Sequence, residues 1–248
     1  MSSTNPYQYD PGQRGFGDNA MAAFAEESAR ATFIRKTYLH LAAAVLGFIG
    51  FETLLLTAVP AATMEAIVGR MVGGYGWLLV LGAFMVVSWV ARWWAESGAS
   101  RGMQYLGLAL YVVGQAVVFL PMLYIAMRFD PKTPVIAGML TSVVFFGLTA
   151  FVFVTRVDLS WMGKVLFLAG LVAMGAIVCS IVFGFSLGIF FSAIMVAVAS
   201  GYILYDTSNV LHHYRTDQYV AASLALFASV AILFWYILRL VMSFSSND

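Results

Sequence analysis

Seven apolar runs, each long enough to cross a lipid bilayer, dominate this 248-residue chain. They cover residues 37–59, 74–94, 103–127, 134–155, 162–183, 187–209 and 220–244. A helix of about 20 apolar residues spans a hydrocarbon core, because its backbone polar groups bond one another and none faces lipid unpaired. The pattern predicts an all-α fold, a polytopic membrane protein with a seven-transmembrane-helix bundle. Composition agrees. Charged residues make up 10% and hydrophobic residues 62% of the chain, against roughly 25% charged in soluble domains. So few charges cannot coat a water-soluble globule, and the lipid bilayer becomes the expected solvent. The net charge of +1 gives no reason to expect a nucleic-acid partner.

The segments around these runs suggest three parts. Residues 1–20 carry Pro, Gly, Asn and Tyr without periodicity, which predicts a flexible tail. Residues 21–36 turn helical, with Glu26 and Glu27 early and Arg30, Arg35 and Lys36 late, as expected for an interfacial helix. Residues 37–244 form the seven-span domain. Pro60 stops the first run, Pro121 predicts a kink in the third, and Pro134 opens the fourth. Only residues 184–186 separate the fifth and sixth, which leaves a tight hairpin and a partly re-entrant segment both open.

Basic residues set the expected orientation. With the N-terminus cytoplasmic, Arg14, Arg30, Arg35, Lys36, Arg92, Arg101, Arg156, Lys164 and Arg215 lie inside, while Arg70, Arg128, Lys132 and Arg239 lie outside. Nine against four places the C-terminus outside. On the sixth run Ala193, Ala197 and Gly201 recur at four-residue spacing, a pattern that lets helices approach closely in lipid.

Ionisable groups inside apolar runs are costly and therefore mark candidate sites. Glu52, Arg92 and Asp206 qualify. Helical spacing aligns Tyr202, Asp206, Asn209 and His213 into one polar stripe. Asp206 then reads either as a carboxylate that titrates or binds a cation, or as half of a structural ion pair with Arg92 across the bundle. Glu52 reads as structural, and Gln104 and Gln115 as interhelical hydrogen-bonders. His212 and His213 are adjacent and diverge on a helix, so no metal site is expected. Cys179, the one cysteine, reads as a small buried apolar residue. No phosphate-binding glycine loop, nucleophile elbow or HExxH motif appears, so neither an enzyme nor a cofactor is expected.

The stretch ILYDTSNVLHHYRTDQYVAASLALF, residues 203–227, resembles the signature of the Bax inhibitor-1 (transmembrane Bax-inhibitor motif) family. FVFVTRVDLSWMGKVLFLAG, with Thr155, Asp158, Ser160 and Gly163, resembles that family's link between spans four and five, and FIRKTYLHLAAAVLGF its first span. The resemblance implies a seven-helix bundle with a central last span. In some members it also implies a pH-sensitive calcium leak, sensed by paired aspartates on spans six and seven and latched by an arginine on span two. Asp206 matches the first aspartate and Arg92 the arginine. Ser229 stands at the second, and Ile232 replaces the Asn that follows three residues later. A lone carboxylate loses the proton sharing of a pair and offers a cation fewer oxygens. The serine form is similar to the bacterial YccA-like branch, which implies an inner-membrane regulator of an AAA protease of the FtsH type. A pH-sensitive cation leak, for calcium or protons, gated by Asp206, Arg92 and Ser229, is the alternative.

Overall fold

The computed structural model of the chain describes residues 20–96 and 100–245, so nearly all of the expected tail lies outside the described residues. The described residues form eight helices: α1 (Glu27–Ala58), α2 (Ala61–Val72), α3 (Gly76–Glu96), α4 (Arg101–Phe129), α5 (Thr133–Thr155), α6 (Met162–Phe183), α7 (Gly188–His212) and α8 (Tyr219–Ser245). All but α2 are long and apolar enough to cross a membrane.

Local chemistry explains the boundaries. Pro60 sits at the N-cap of α2 and Pro134 in the first turn of α5, where a missing N–H breaks no helical bond. Gly184 and Gly188 adopt positive φ values of 71° and 63°, which turns α6 into α7 within a short link. The hairpin alternative is therefore the one realised, with two full-length helices of 22 and 25 residues. Pro121 lies inside α4, which continues through it for 29 residues.

Two features differ from expectation at the N-terminal end. The helix starts at Glu27, not Met21, and runs unbroken for 32 residues into the first span, so residues 21–36 make no separate helix. Ahead of it, the backbone of Met21 bridges Arg215 in the loop between α7 and α8. Ala22 N–H donates to the Tyr214 carbonyl, and Thr216 N–H to the Ala20 carbonyl. The additional helix α2 is too short and too one-sided for a span; it turns Met64 and Val68 inward against Leu120.

The bundle closes around α8, which packs against α1, α3, α4, α5 and α7. Its first half is rich in small buried residues, among them Ala221, Ala222, Ser223, Ala228 and Ser229, and these let neighbouring helices close in from several sides. The rings of Phe48 on α1, Phe119 on α4 and Phe227 on α8 meet at centroid distances of 5.2 and 6.2 Å, so these three helices meet at one core. By contrast α6 is peripheral and buries only Leu166 and Ala173. Cys179 therefore stands exposed on its outer face rather than buried. The small-residue row on α7 is likewise not one interface. Gly201 meets Leu166 of α6, whereas Ala193 and Ala197 face outward.

Candidate functional site

Asp206 is carried by the last two turns of α7, where the helix passes the small-residue half of α8. It is 8% exposed, and its Oδ2 accepts a hydrogen bond of 2.5 Å from the Ser229 hydroxyl. Ser229 is itself 3% exposed. A buried carboxylate needs charged or hydrogen-bonding partners to offset its lost hydration, and this hydroxyl supplies one.

Arg92 does not complete an ion pair. Among the described residues the three salt bridges are Arg128–Glu65, His213–Asp158 and Arg215–Asp217. The Arg92 guanidinium instead lies over the ring of Tyr111 on α4, 5.9 Å from its centroid. Its charge still reaches Asp206 through space. Direct contact between the two is thus replaced by a cation held on an aromatic face, with the carboxylate on a hydroxyl.

The expected polar stripe divides among three partners. Tyr202 donates to the Leu166 carbonyl of α6 at 2.7 Å. His213 meets both oxygens of Asp158, in the link between α5 and α6, at 3.2 Å. Asn209 offers its backbone carbonyl to the N–H groups of His213 and Tyr214, which ends α7. Asp206, Tyr202 and His213 thus bond different elements, so the stripe does not converge on one ligand.

Of the groups that hold this end together, the sequence marked Asp158 and Ser160 only through the family resemblance and did not mark Ser208 or Tyr214. The Ser208 hydroxyl accepts from Leu159 N–H at 2.9 Å and donates to the Val157 carbonyl at 3.2 Å. Asp158 accepts the Ser160 N–H at 2.9 Å. That backbone bond, followed by the Ser160 hydroxyl and His213, holds the Asp158 carboxyl down at about 2. Tyr214, just beyond α7, feels the charges of Asp206, Glu96 and Arg92, and burial pushes its hydroxyl up. The YDTS run could have pointed to Ser208 as a capping hydroxyl, but nothing local marks Tyr214.

Chemically, the arrangement is one buried carboxylate with one hydroxyl donor and a cation nearby. Two adjacent carboxylates would share a proton and titrate as a pair; a serine has no proton to share at ordinary pH. Calcium prefers six to eight oxygens, and among the described residues no group of three or more His, Cys, Asp or Glu side chains converges.

A family model described as Inhibitor of apoptosis-promoting Bax1 matches residues 30–246. The chain belongs to the Bax inhibitor-1 family. Similar relatives include Modulator of FtsH protease YccA from Escherichia coli strain K12, 33% identical over 109 residues. That match covers 44% of this chain and 49% of YccA, so the chain spans about half the length of that relative. Bax inhibitor 1 of Schizosaccharomyces pombe is 26% identical over 250 residues, covering 96% of this chain and 86% of its own. An uncharacterized protein of Campylobacter jejuni is 28% identical over 198 residues, covering 73% and 85%. Membership of the Bax inhibitor-1 family extends across all seven long helices, and the central last span implied by that resemblance is α8.

Proposed function

We propose that this chain is a non-enzymatic regulator in the bacterial inner membrane that modulates membrane-protein quality control by an FtsH-type protease. The observation that carries the reading is the similarity to YccA, which is named a modulator of that protease. The site is compatible with it: Asp206 is closed off by Ser229, and a regulator requires a binding surface rather than an aqueous path. In this reading the N-terminus is cytoplasmic and the C-terminus outside, as the distribution of Lys and Arg favours.

A second reading, a pH-sensitive cation leak, keeps one specific observation in its favour. Asp206 is a buried acid with Arg92 within electrostatic reach, and protonating it would change what the hydroxyl and the guanidinium face.

Co-reconstitution separates the two. An FtsH-type protease is placed in proteoliposomes with a membrane substrate, with and without this protein, and degradation is followed; cation flux is read in parallel at acidic and neutral pH with Asp206→Asn beside the wild type. A changed degradation rate without flux supports the regulator. Unchanged degradation together with a pH-dependent flux that Asp206→Asn alters would replace it with the leak.

A further inference from the structure

Helices α1 and α4 run side by side in the same direction. His40 stacks on Tyr105 at a centroid distance of 5.5 Å, and two turns further along Gly47 lies against Val112. Between the two helices runs an open groove of about 470 Å³. Its walls are apolar, with Ala43, Gly47, Ala109 and Val113 exposed in it, and its polar residues are His40 and Tyr105 at one end. From His40 to Phe51 helix α1 rises about 16 Å, close to one leaflet of a hydrocarbon core about 30 Å thick.

The polar end of the groove continues outward into cations held on an aromatic ring. Lys36 precedes His40 by one helical turn, and Arg101 precedes Tyr105 by one turn. Both cations reach the ring of Tyr219 at the start of α8, with the Lys36 Nζ 5.3 Å and the Arg101 Cζ 5.0 Å from its centroid. His40 touches the same ring at 5.0 Å, and its Nδ1–H donates to the Lys36 carbonyl at 2.7 Å. The hydroxyls of Tyr105 and Tyr219 are 3.0 Å apart. One donates to the other, which leaves one O–H open to an outside acceptor. Arg101 donates from Nη1 to the Asp217 carbonyl at 3.3 Å. Among the described residues neither Lys36 nor Arg101 has a carboxylate in a salt bridge. Asp217, an acid within electrostatic reach of Arg101, is held by Arg215 through bonds of 3.1 and 2.9 Å.

We propose that this groove binds one anionic phospholipid. Lys36 and Arg101 neutralise the headgroup phosphate, the open tyrosine O–H donates to it, and an acyl chain lies along Ala43, Gly47, Ala109 and Val113. Charge complementarity selects the occupant: an apolar groove between two membrane-length helices meets acyl chains, and paired cations at its outer end favour a negative headgroup. The ring contacts already hold both cations in place, so binding orders them little further. The site stands apart from Asp206 and Ser229 and does not depend on which reading of that pair holds.

The test uses the full chain, purified and delipidated in a neutral detergent. Thermal midpoints are read with phosphatidylglycerol, with phosphatidylcholine and with inorganic phosphate, for the wild type and three double variants. Lys36→Gln with Arg101→Gln removes the cations, and Ala43→Leu with Ala109→Leu fills the groove at exposed positions. Arg156→Gln with Lys164→Gln removes two exposed cations outside the groove. Phosphatidylglycerol raises the wild-type midpoint by about 5 °C, while phosphatidylcholine and phosphate leave it unchanged. The first two variants lose the response and the third keeps it. No shift with phosphatidylglycerol, or an equal shift with phosphatidylcholine, overturns the proposal. An equal shift with inorganic phosphate overturns it too, as an anion site without an acyl chain, and so does a third variant as unresponsive as the first. If one of the first two variants does not fold, the other decides alone: a lost response supports the site and a retained one overturns it.

Discussion

Ser229 is the residue on which the candidate site turns, because its hydroxyl is the hydrogen-bond donor to a carboxylate that α7 cannot expose. Ser229→Ala leaves that oxygen buried with its donor gone. The expected loss is about 1–3 kcal/mol of stability, read as a lowered unfolding midpoint; Asp206→Asn in the same background should recover part of it, since the amide brings no charge to bury. A midpoint equal to wild type for Ser229→Ala would mean that the hydroxyl contributes nothing to holding Asp206. Asp158 has a different pH signature. Its folded carboxyl sits at about 2, below the roughly 3.9 of an unfolded aspartate. Its stabilising contribution is therefore complete above about pH 4 and is lost as pH falls through the folded value. The group is exposed, so the contribution stays under about 1 kcal/mol. Midpoints of Asp158→Asn and wild type should differ by a constant amount near neutrality and converge in acid, and a gap that widens in acid would contradict this. Asp206 was legible in the sequence because an acid in an apolar helix is conspicuous. Its partner was legible only through the family resemblance, since a serine in a span is ordinary. The separate partners of Tyr202 and His213 were not legible, because helical spacing gives a face and not what stands opposite it.

Helix pairs in this bundle are set by where backbones come close. At Gly107 of α4 an added methyl would lie 2.5 Å from the Ala91 carbonyl oxygen of α3 and 3.0 Å from the Ala95 nitrogen. Backbone cannot step aside, so α3 and α4 would have to separate. At Gly163 of α6 the obstruction is the Tyr205 ring, with its Cε2 at 2.9 Å, and a side chain can turn. At Gly47 the nearest atom is a Val112 methyl at 3.9 Å, an ordinary contact. The order of damage should be Gly107→Ala at about 3 kcal/mol, Gly163→Ala at about 1 kcal/mol, and Gly47→Ala neutral or slightly stabilising through helix propensity. Midpoints of the three purified variants test it, and a Gly47→Ala variant as damaged as Gly107→Ala would refute the ranking. Element positions were legible nearly to the residue at 162–183, because Gly184 and the bend before Met162 bracket an unbroken apolar run. The helix α2 was not, as its 12 residues, Glu65 and Arg70 among them, fall below any membrane-length pattern. The charges of 26–36 likewise obscured the fact that α1 is continuous, since charge near a span reads as a boundary even where the backbone does not break.

The architecture as a whole followed from hydropathy, which counts crossings but is silent on which helix lies inside. All seven long helices are comparably apolar, with mean hydropathy between 1.7 and 2.7, so their different burial could not be read from that quantity. The most apolar of them, α6, is among the least buried, at 11% of its window, while α8 is buried over 61%. In lipid, apolarity no longer drives a helix inward, and small residues and polar partners do. The pair at Asp206 and Ser229 lies between α7 and α8 for that reason.

The central place of α8 has a consequence in time. Among the described helices it is the last in chain order, so α1, α3, α4, α5 and α7 are all made before the helix they pack around. Until it arrives, Asp206 has no Ser229, and the rings of Phe48, Tyr111 and Phe119 lack their contacts with Phe227, Phe234 and Trp235. A newly made chain therefore completes its core only when this last helix docks among the others.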